Sequence, residues 1–267
     1  MPSLHCDISH KSDQMATSIT NIVINWPLPP KNLALANDEL DIWAAQLDQQ
    51  ADRIEAHLST LSEHEKARAS AFRFQIDRNR FICSHGILRA ILGRYLELDP
   101  HQLQFNYGSR GKPELAGLSE ANALHFNMTH SEGLGVFACT RACPVGVDVE
   151  RVRAIRDEQE VANLCFASRE SEALSKLDGY QKMIGFYNLW TRKEAWLKAT
   201  GQGICDSLRS LEVSLLPGEP ARIISICGNE KEGDLWSLVD LSPATDFKAT
   251  VAFAEKNLKI RSWGWFE

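Results

Sequence analysis

The run GVDVERVR at 146 to 153 sets two carboxylates, Asp148 and Glu150, at alternate positions among valines. Val147 and Val149 favour a strand, and successive strand side chains point to opposite faces. Both carboxylates then stand on one face and both valines on the other. Like charges held so close repel unless a positive group lies between them. A hard divalent cation bound by oxygen ligands is one such group.

A second source of carboxylate lies further along. In the helical run YQKMIGFYNLWTRKEAWLKATG, residues 180 to 201, Trp190, Glu194, Leu197 and Lys198 share one broad face, with Lys193 flanking it. Glu194 and Lys198 stand at i, i+4 in the favourable order, so spacing alone also accommodates a surface ion pair. Trp190 and Trp196 bracket the Lys193-Glu194 pair on a helix that otherwise faces a core. If Glu194 packs beside Asp148 and Glu150, three carboxylates offer oxygens to Mg2+, and Lys198 lies one turn away to hold a phosphate. That equipment suits metal-assisted phosphoryl chemistry, which is mostly positioning and charge neutralisation. Glu194 can also act as the base for a hydroxyl nucleophile, directly or through a water.

The elements that must position these groups are legible in outline. ELDIWAAQLD, residues 39 to 48, is ambiguous between strand and helix. From Ser62 the pattern turns helical, and Phe81, His85, Leu88, Leu92 and Tyr95 mark an amphipathic helix decorated by Arg80, Arg89 and Arg94. LQFNYGSRGKPEL gives a strand, a Gly-rich turn and an extension. HFNMTHSEGLGVFACT gives two strands about a polar turn. Helix is expected from about 157 to 177, broken near Ala167, with Ser168 as the cap of the second piece. Gly201 suits a left-handed helix end, and the remaining chain is strand-like. The expected fold is therefore α+β, each half holding a long helix and antiparallel strands. The boundary is expected near residue 143: a tail at 1–20, an N-terminal subdomain at 21–143, and a C-terminal subdomain at 144–267 carrying the metal site.

Composition bounds the function. The 267 residues are 44% hydrophobic and 24% charged, and 29 Lys plus Arg against 35 Asp plus Glu leave a net charge of -6. A mildly acidic chain argues against dedicated nucleic-acid binding. No apolar run approaches the roughly 18 residues of a membrane span, and the first 20 residues lack the apolar centre of a signal peptide. The seven cysteines make no C-x-x-C pair, which together with these absences points to a reducing cytoplasm.

GVDVE followed at 186 to 203 by FYNLWTRKEAWLKATGQG resembles the paired signature of the larger, surfactin-synthetase-activating type of 4'-phosphopantetheinyl transferase. The pattern W-x-x-K-E-x-x-x-K is complete as Trp190, Lys193, Glu194 and Lys198. The likeness extends through FRFQIDRNRF, GKP at 111 to 113 and FNMTHS at 126 to 131, so it covers roughly residues 61 to 204. It implies two similar halves related by a pseudo-twofold axis, and transfer of the phosphopantetheine arm of coenzyme A to a serine of an apo acyl or peptidyl carrier protein. Adenosine 3',5'-bisphosphate is the other product. By motif position, the resemblance implies that Asp148, Glu150 and Glu194 hold Mg2+, with Mn2+ the alternative. Glu194 would serve as base and Lys198 would contact the phosphates. It assigns Lys112, with Arg110 before it, and His130 to the coenzyme; Thr129 stands where Ser is commoner, and Arg80 sits at a basic helix position. Lys66 and Arg68 lie near basic residues that reach the 3'-phosphate. The length suits a monomer, and fatty-acid, polyketide and nonribosomal-peptide carriers all fit. Two rival readings are a Mg2+-dependent nucleotide phosphoesterase using the same carboxylates with water as nucleophile, and a non-catalytic module that docks on carrier proteins, against which the intact Asp148, Glu150 and Glu194 argue.

Overall fold

The computed structural model describes residues 22, 26–108, 111–119, 123–201 and 208–266. Its first strand, β1 (Glu39–Gln46), settles the ambiguous stretch, because both of its faces are buried and both edges are paired. Leu40, Ile42 and Ala44 enter one apolar core while Trp43 and Ala45 enter another, the two-sided burial of a central strand. Helix α1 (Ala51–Thr60) then leads to α2 (Glu63–Ser70). Ser62 starts α2 with a capping box: its hydroxyl accepts from Glu65 N–H, and the Glu65 carboxylate accepts from Ser62 N–H. The long helix α3 (Gln75–Leu96) ends at Glu97 in the left-handed conformation.

Short strands β2 (Phe105–Tyr107) and β3 (Pro113–Leu115) form a hairpin around the GKP turn. They are followed by β4 (His125–Ser131), β5 (Leu134–Thr140) and β6 (Val145–Arg151). Helices α4 (Glu158–Cys165) and α5 (Ser168–Ser175) precede the second long helix, α6 (Gly179–Thr200). The break near Ala167 is where the pattern placed it, but Ser168 is not the cap. Ala167 holds that position, and the Glu170 carboxylate accepts from its N–H. Glycine at 201 lets α6 stop in the left-handed conformation, φ 70°. The chain finishes with β7 (Leu211–Val213), β8 (Ile223–Ile226), the short helix α7 (Glu230–Gly233), β9 (Ser237–Leu241), β10 (Phe247–Phe253) and β11 (Lys259–Trp265).

The result is a mixed α+β fold with two halves, each a long helix on a sheet. One sheet has the order β11-β1-β5-β4 and the other β6-β10-β9. Helix α3 packs Cys83, Ile87, Leu88, Ile91 and Leu92 on the outer face of the first, and α6 covers the outer face of the second. Between the sheets lies a shared core in which Leu40, Ile42, Val136 and Ala138 meet Val145, Val147, Val149 and Val251. Burying this much aliphatic surface, at about 1.5–3 kcal/mol per side chain, locks the halves together. One pairing departs from the antiparallel expectation: β11 runs parallel to β1 and so reaches back into the first sheet. Arg261 on β11 pins it with two bonds to the buried Asp41 carboxylate, 2.6 and 2.8 Å. Asp41 also accepts from Tyr95 Oη at 2.6 Å, so the buried charge is fully engaged.

Among the described residues no helix is long and apolar enough to cross a membrane. Among the described residues, Cys83, Cys139, Cys143 and Cys227 are free thiols. His5, Cys6, His10 and Cys205 lie outside the described residues.

Candidate active site

Strands β4 and β6 run side by side along the seam between the halves without forming a common ladder. Side chains bridge the gap. Asn127, Thr129 and Ser131, alternate residues of β4 and so on one face of it, each bond to β6. Asn127 Oδ1 accepts from Val147 N–H at 2.9 Å, Thr129 Oγ1 donates to Asp148 Oδ1 at 3.3 Å, and Ser131 Oγ donates to Glu150 Oε2 at 2.9 Å. On the β6 side the alternation is as the valines foretold. Val147 and Val149 enter the shared core, and Asp148 turns to α6, where Lys198 Nζ meets its Oδ1 at 2.6 Å.

Gly146 makes that approach feasible. A Cβ there would lie 2.1 Å from Ala195 O and 2.2 Å from Ala199 N, both backbone atoms of α6. Strand and helix therefore touch main chain to main chain. The same helix carries Glu194, which is 7% exposed. Lys198 does not pair with Glu194 along the helix; it bonds across to Asp148 and to Thr129 Oγ1 at 3.1 Å. Lys193, flanking on the sequence pattern, belongs to another structure altogether. Its buried ammonium meets Glu170 at 2.7 Å and donates to Leu208 O and Leu211 O. Trp190 stacks on Phe186, and Trp196 meets Trp236 edge to face, so both tryptophans are packing residues.

The electrostatics of the cleft are strained. Burial raises the Asp148 carboxyl against the pull of Lys198. Burial, and then the Asp148 charge, push both Glu150 and Glu194 up to about 7. Burial pulls Lys198 down, but Asp148 and Glu194, with Glu150, outweigh it, and the ammonium is held above its ordinary value. The three carboxylates are thus within electrostatic reach of one another and of Lys198. Among the described residues, no three His, Cys, Asp or Glu side chains already form a metal ligand set. Two oxygens from the two elements, Asp148 Oδ2 and Glu194 Oε1, are nevertheless buried without any hydrogen-bond partner. Buried carboxylate oxygens normally find a donor or a cation, so the donor set fits a hard divalent ion.

The basic residues are divided. The His130 side chain is exposed; partial loss of surrounding water, then Lys198 and Arg80, push its imidazole down to about 4. Arg80 makes two bonds to Asp48, 2.7 and 2.9 Å. Arg68 lies over the Phe81 ring at 5.3 Å, and Lys66 pairs with Glu63 in the same exposed turn. Lys112, expected at the coenzyme, turns instead to three main-chain carbonyls of β6 and α6. Thr129 is occupied by Asp148 and Lys198. Arg110 lies outside the described residues. Asn127 and Ser131 were not singled out in the sequence, although their alternation with Thr129 in FNMTHS is the signal of a polar strand face. A cavity of about 800 Å³ lies elsewhere, between residues 28–34 and Trp265, and holds none of the site residues.

Comparison with known proteins identifies the family of both halves. Residues 45–142 match the model of the 4'-phosphopantetheinyl transferase N-terminal domain. Residues 144–252 match that of the 4'-phosphopantetheinyl transferase superfamily. The chain is 39% identical over 238 residues to the 4'-phosphopantetheinyl transferase HetI of Nostoc sp., covering 89% of this chain and 97% of that one. It is 29% identical over 161 residues to the 4'-phosphopantetheinyl transferase Sfp of Bacillus subtilis, covering 60% and 69%. A more distant relative is the L-aminoadipate-semialdehyde dehydrogenase-phosphopantetheinyl transferase of Xenopus laevis, 25% identical over 161 residues, covering 57% and 53%. Both halves are matched in order and one relative aligns almost throughout, so the chain belongs to the 4'-phosphopantetheinyl transferase superfamily and transfers phosphopantetheine to carrier proteins.

Proposed function

We propose that the cleft bounded by β4, β6 and α6 is where the phosphopantetheine of coenzyme A passes to a carrier serine, with Asp148, Glu150 and Glu194 holding Mg2+, or Mn2+ in its place. The observation that supports this most is the pair of buried, unpartnered oxygens, Asp148 Oδ2 and Glu194 Oε1, contributed by two elements packed against each other. A divalent ion bound there supplies charge neutralisation for the pyrophosphate.

The chain's own groups then divide the work. Glu194 takes the proton of the carrier serine, directly or through a water. The serine oxygen forms the new bond to phosphorus as the bond to the departing adenosine 3',5'-bisphosphate breaks. Lys198, held charged by its acidic neighbours, faces the negative charge that the leaving phosphate gathers. His130 and Arg80 lie on the first-half side of the cleft, where coenzyme phosphates need donors, with Arg68 and Lys66 further out. The division at residues 21–143 and 144–267 suits this reading, each half supplying one wall and β11 reaching back across. The chain would act as a monomer in the cytoplasm.

The test is a mass measurement. With coenzyme A, Mg2+ and an apo carrier protein, the carrier gains one phosphopantetheine. Asp148→Ala and Asp148→Asn lose transfer by a hundredfold or more while keeping the wild-type circular dichroism spectrum, a drop of the size seen when one preorganised charge is removed. Full activity in either variant sinks the site assignment. Consumption of coenzyme A without a gain on the carrier returns the phosphoesterase reading.

A further inference from the structure

Lys112 belongs to the turn between β2 and β3. That turn is closed by Gly108 N–H donating to Lys112 O at 3.0 Å and Gly111 N–H donating to Gly108 O at 2.8 Å. Gly111 adopts φ 80°, a conformation that suits glycine. So presented, the Lys112 side chain crosses to the second half of the molecule. Its Nζ donates to Lys198 O at 2.7 Å, Ala199 O at 3.0 Å and Val145 O at 3.3 Å.

An ammonium has three N–H donors and no acceptor. Three carbonyls use all of them, which leaves none for a phosphate. Two of the acceptors belong to the last turn of α6, where carbonyls have no partner within the helix and carry the negative end of its dipole. The third is the first residue of β6. Immediately beyond it, Gly146 brings β6 into backbone contact with α6. One cation from the first half thus ties the end of the helix bearing Glu194 and Lys198 to the start of the strand bearing Asp148 and Glu150.

We propose that Lys112 is a positioning residue, fastening α6 to β6 so that Lys198 and the three carboxylates stay in register, and not a ligand of the coenzyme phosphates. The proposal rests on the site assignment given above.

Lys112→Met and Lys112→Arg separate the two roles. Arginine keeps the charge that a phosphate needs but cannot direct three N–H groups from one nitrogen at three carbonyls. Clamping predicts that both variants lose kcat by about tenfold or more, because small misplacements of reacting groups are costly. The Kd for coenzyme A, measured by calorimetry with Mg2+ present, stays within about twofold. Amide exchange in residues 197–200 quickens. A phosphate ligand predicts the opposite: kcat kept at saturation, a Kd raised tenfold or more in Lys112→Met, and recovery in Lys112→Arg. That pattern overturns the proposal. If neither variant folds, acetic anhydride labelling of the wild-type protein decides. A clamped amine resists acetylation with or without coenzyme A, whereas protection that appears only on adding coenzyme A overturns the clamp. Asp148→Ala, assayed alongside, keeps the failures distinct. Full transfer there refutes the site, whereas a lost coenzyme affinity at Lys112 refutes the clamp alone.

Discussion

Substituting Gly146 with alanine adds one methyl group to the protein at the point where it can least be accommodated. The new Cβ would lie 2.1 Å from Ala195 O, 2.2 Å from Ala199 N and 2.8 Å from the Lys198 carbonyl carbon, against the 3.4 Å at which ordinary contact begins. All three are backbone atoms, so no rotamer change relieves the overlap. Helix α6 must move off β6 by about an ångström, or β6 must leave its ladder with β10. Overpacking of this kind costs about 1–3 kcal/mol, and a clash with main chain belongs at the top of that range. The displacement also falls on the site. It pulls Lys198 from Asp148, now 2.6 Å apart, and Glu194 with it, and a misplacement of that size can cost about a hundredfold in rate. Urea unfolding of Gly146→Ala should show a loss of about 3 kcal/mol, and the carrier mass assay about a hundredfold lower turnover in the fraction still folded. Gly201→Ala is the control for stability. Nothing lies within 4 Å of its added Cβ, so only its φ of 70° opposes the change, at about 1–2 kcal/mol. A Gly146→Ala protein within 1 kcal/mol of wild type and within twofold in turnover would refute the close-approach argument.

Metal affinity should depend on pH. Glu150 and Glu194, ordinarily at 4.5, are pushed to about 7, and an ion must displace their protons, so Mg2+ affinity by calorimetry should fall steadily below pH 7; a flat profile from pH 8 to 6 counts against these ligands. The same shifts make stability of the metal-free protein greatest below 4.5 and diminishing as pH rises to 7, while His85 and His130, lowered from 6.5 to about 4, contribute stability that is lost as pH falls from 6.5 to 4. The two pairs oppose each other between 4.5 and 6.5, so the metal-free melting temperature should rise from pH 8 to 6.5 and then level off, and added Mg2+ should raise it more at pH 8 than at pH 6. Lys193→Met leaves Glu170 as a buried charge without its cation and should cost about 3–5 kcal/mol in urea unfolding; a loss under 1 kcal/mol would show that Lys193 is not the anchor it appears in the packing. Glu194→Gln should retain coenzyme binding but lose the proton acceptor, so transfer should fall by about a hundredfold or more, and near-wild-type turnover would refute the base assignment.

Much of this was legible in the residues, and the exceptions have physical causes. Alternation in GVDVE gave the strand and its two faces because period two is enforced by the backbone, and both long helices followed from their three- and four-residue spacing. The cross-strand destinations of polar side chains were less accessible. Glu194 and Lys198 satisfy a local ion-pair rule, yet Lys198 bonds to Asp148, fifty positions away in sequence, because β6 packs directly against α6 and brings Asp148 to it. Lys112 reads as a loop charge until the end of α6 is placed beside it. Glu39 to Gln46 were ambiguous because a strand covered on both faces loses the alternation that identifies strands. Helix α1 buries none of its residues fully, and only Ile54 and Leu58 of its apolar stripe pack against a core.

The parallel seat of β11 beside β1 has a consequence for synthesis. Asp41 emerges from the ribosome 220 positions before Arg261, the side chain that neutralises it. At about 5–20 residues per second, the interval is on the order of 10–40 s. Throughout that time one edge of the nascent first sheet stands open, and an acid destined for the interior must stay hydrated or borrow another cation. The first half can gather around α3 early, but its sheet is sealed only once β11 has followed it out of the tunnel.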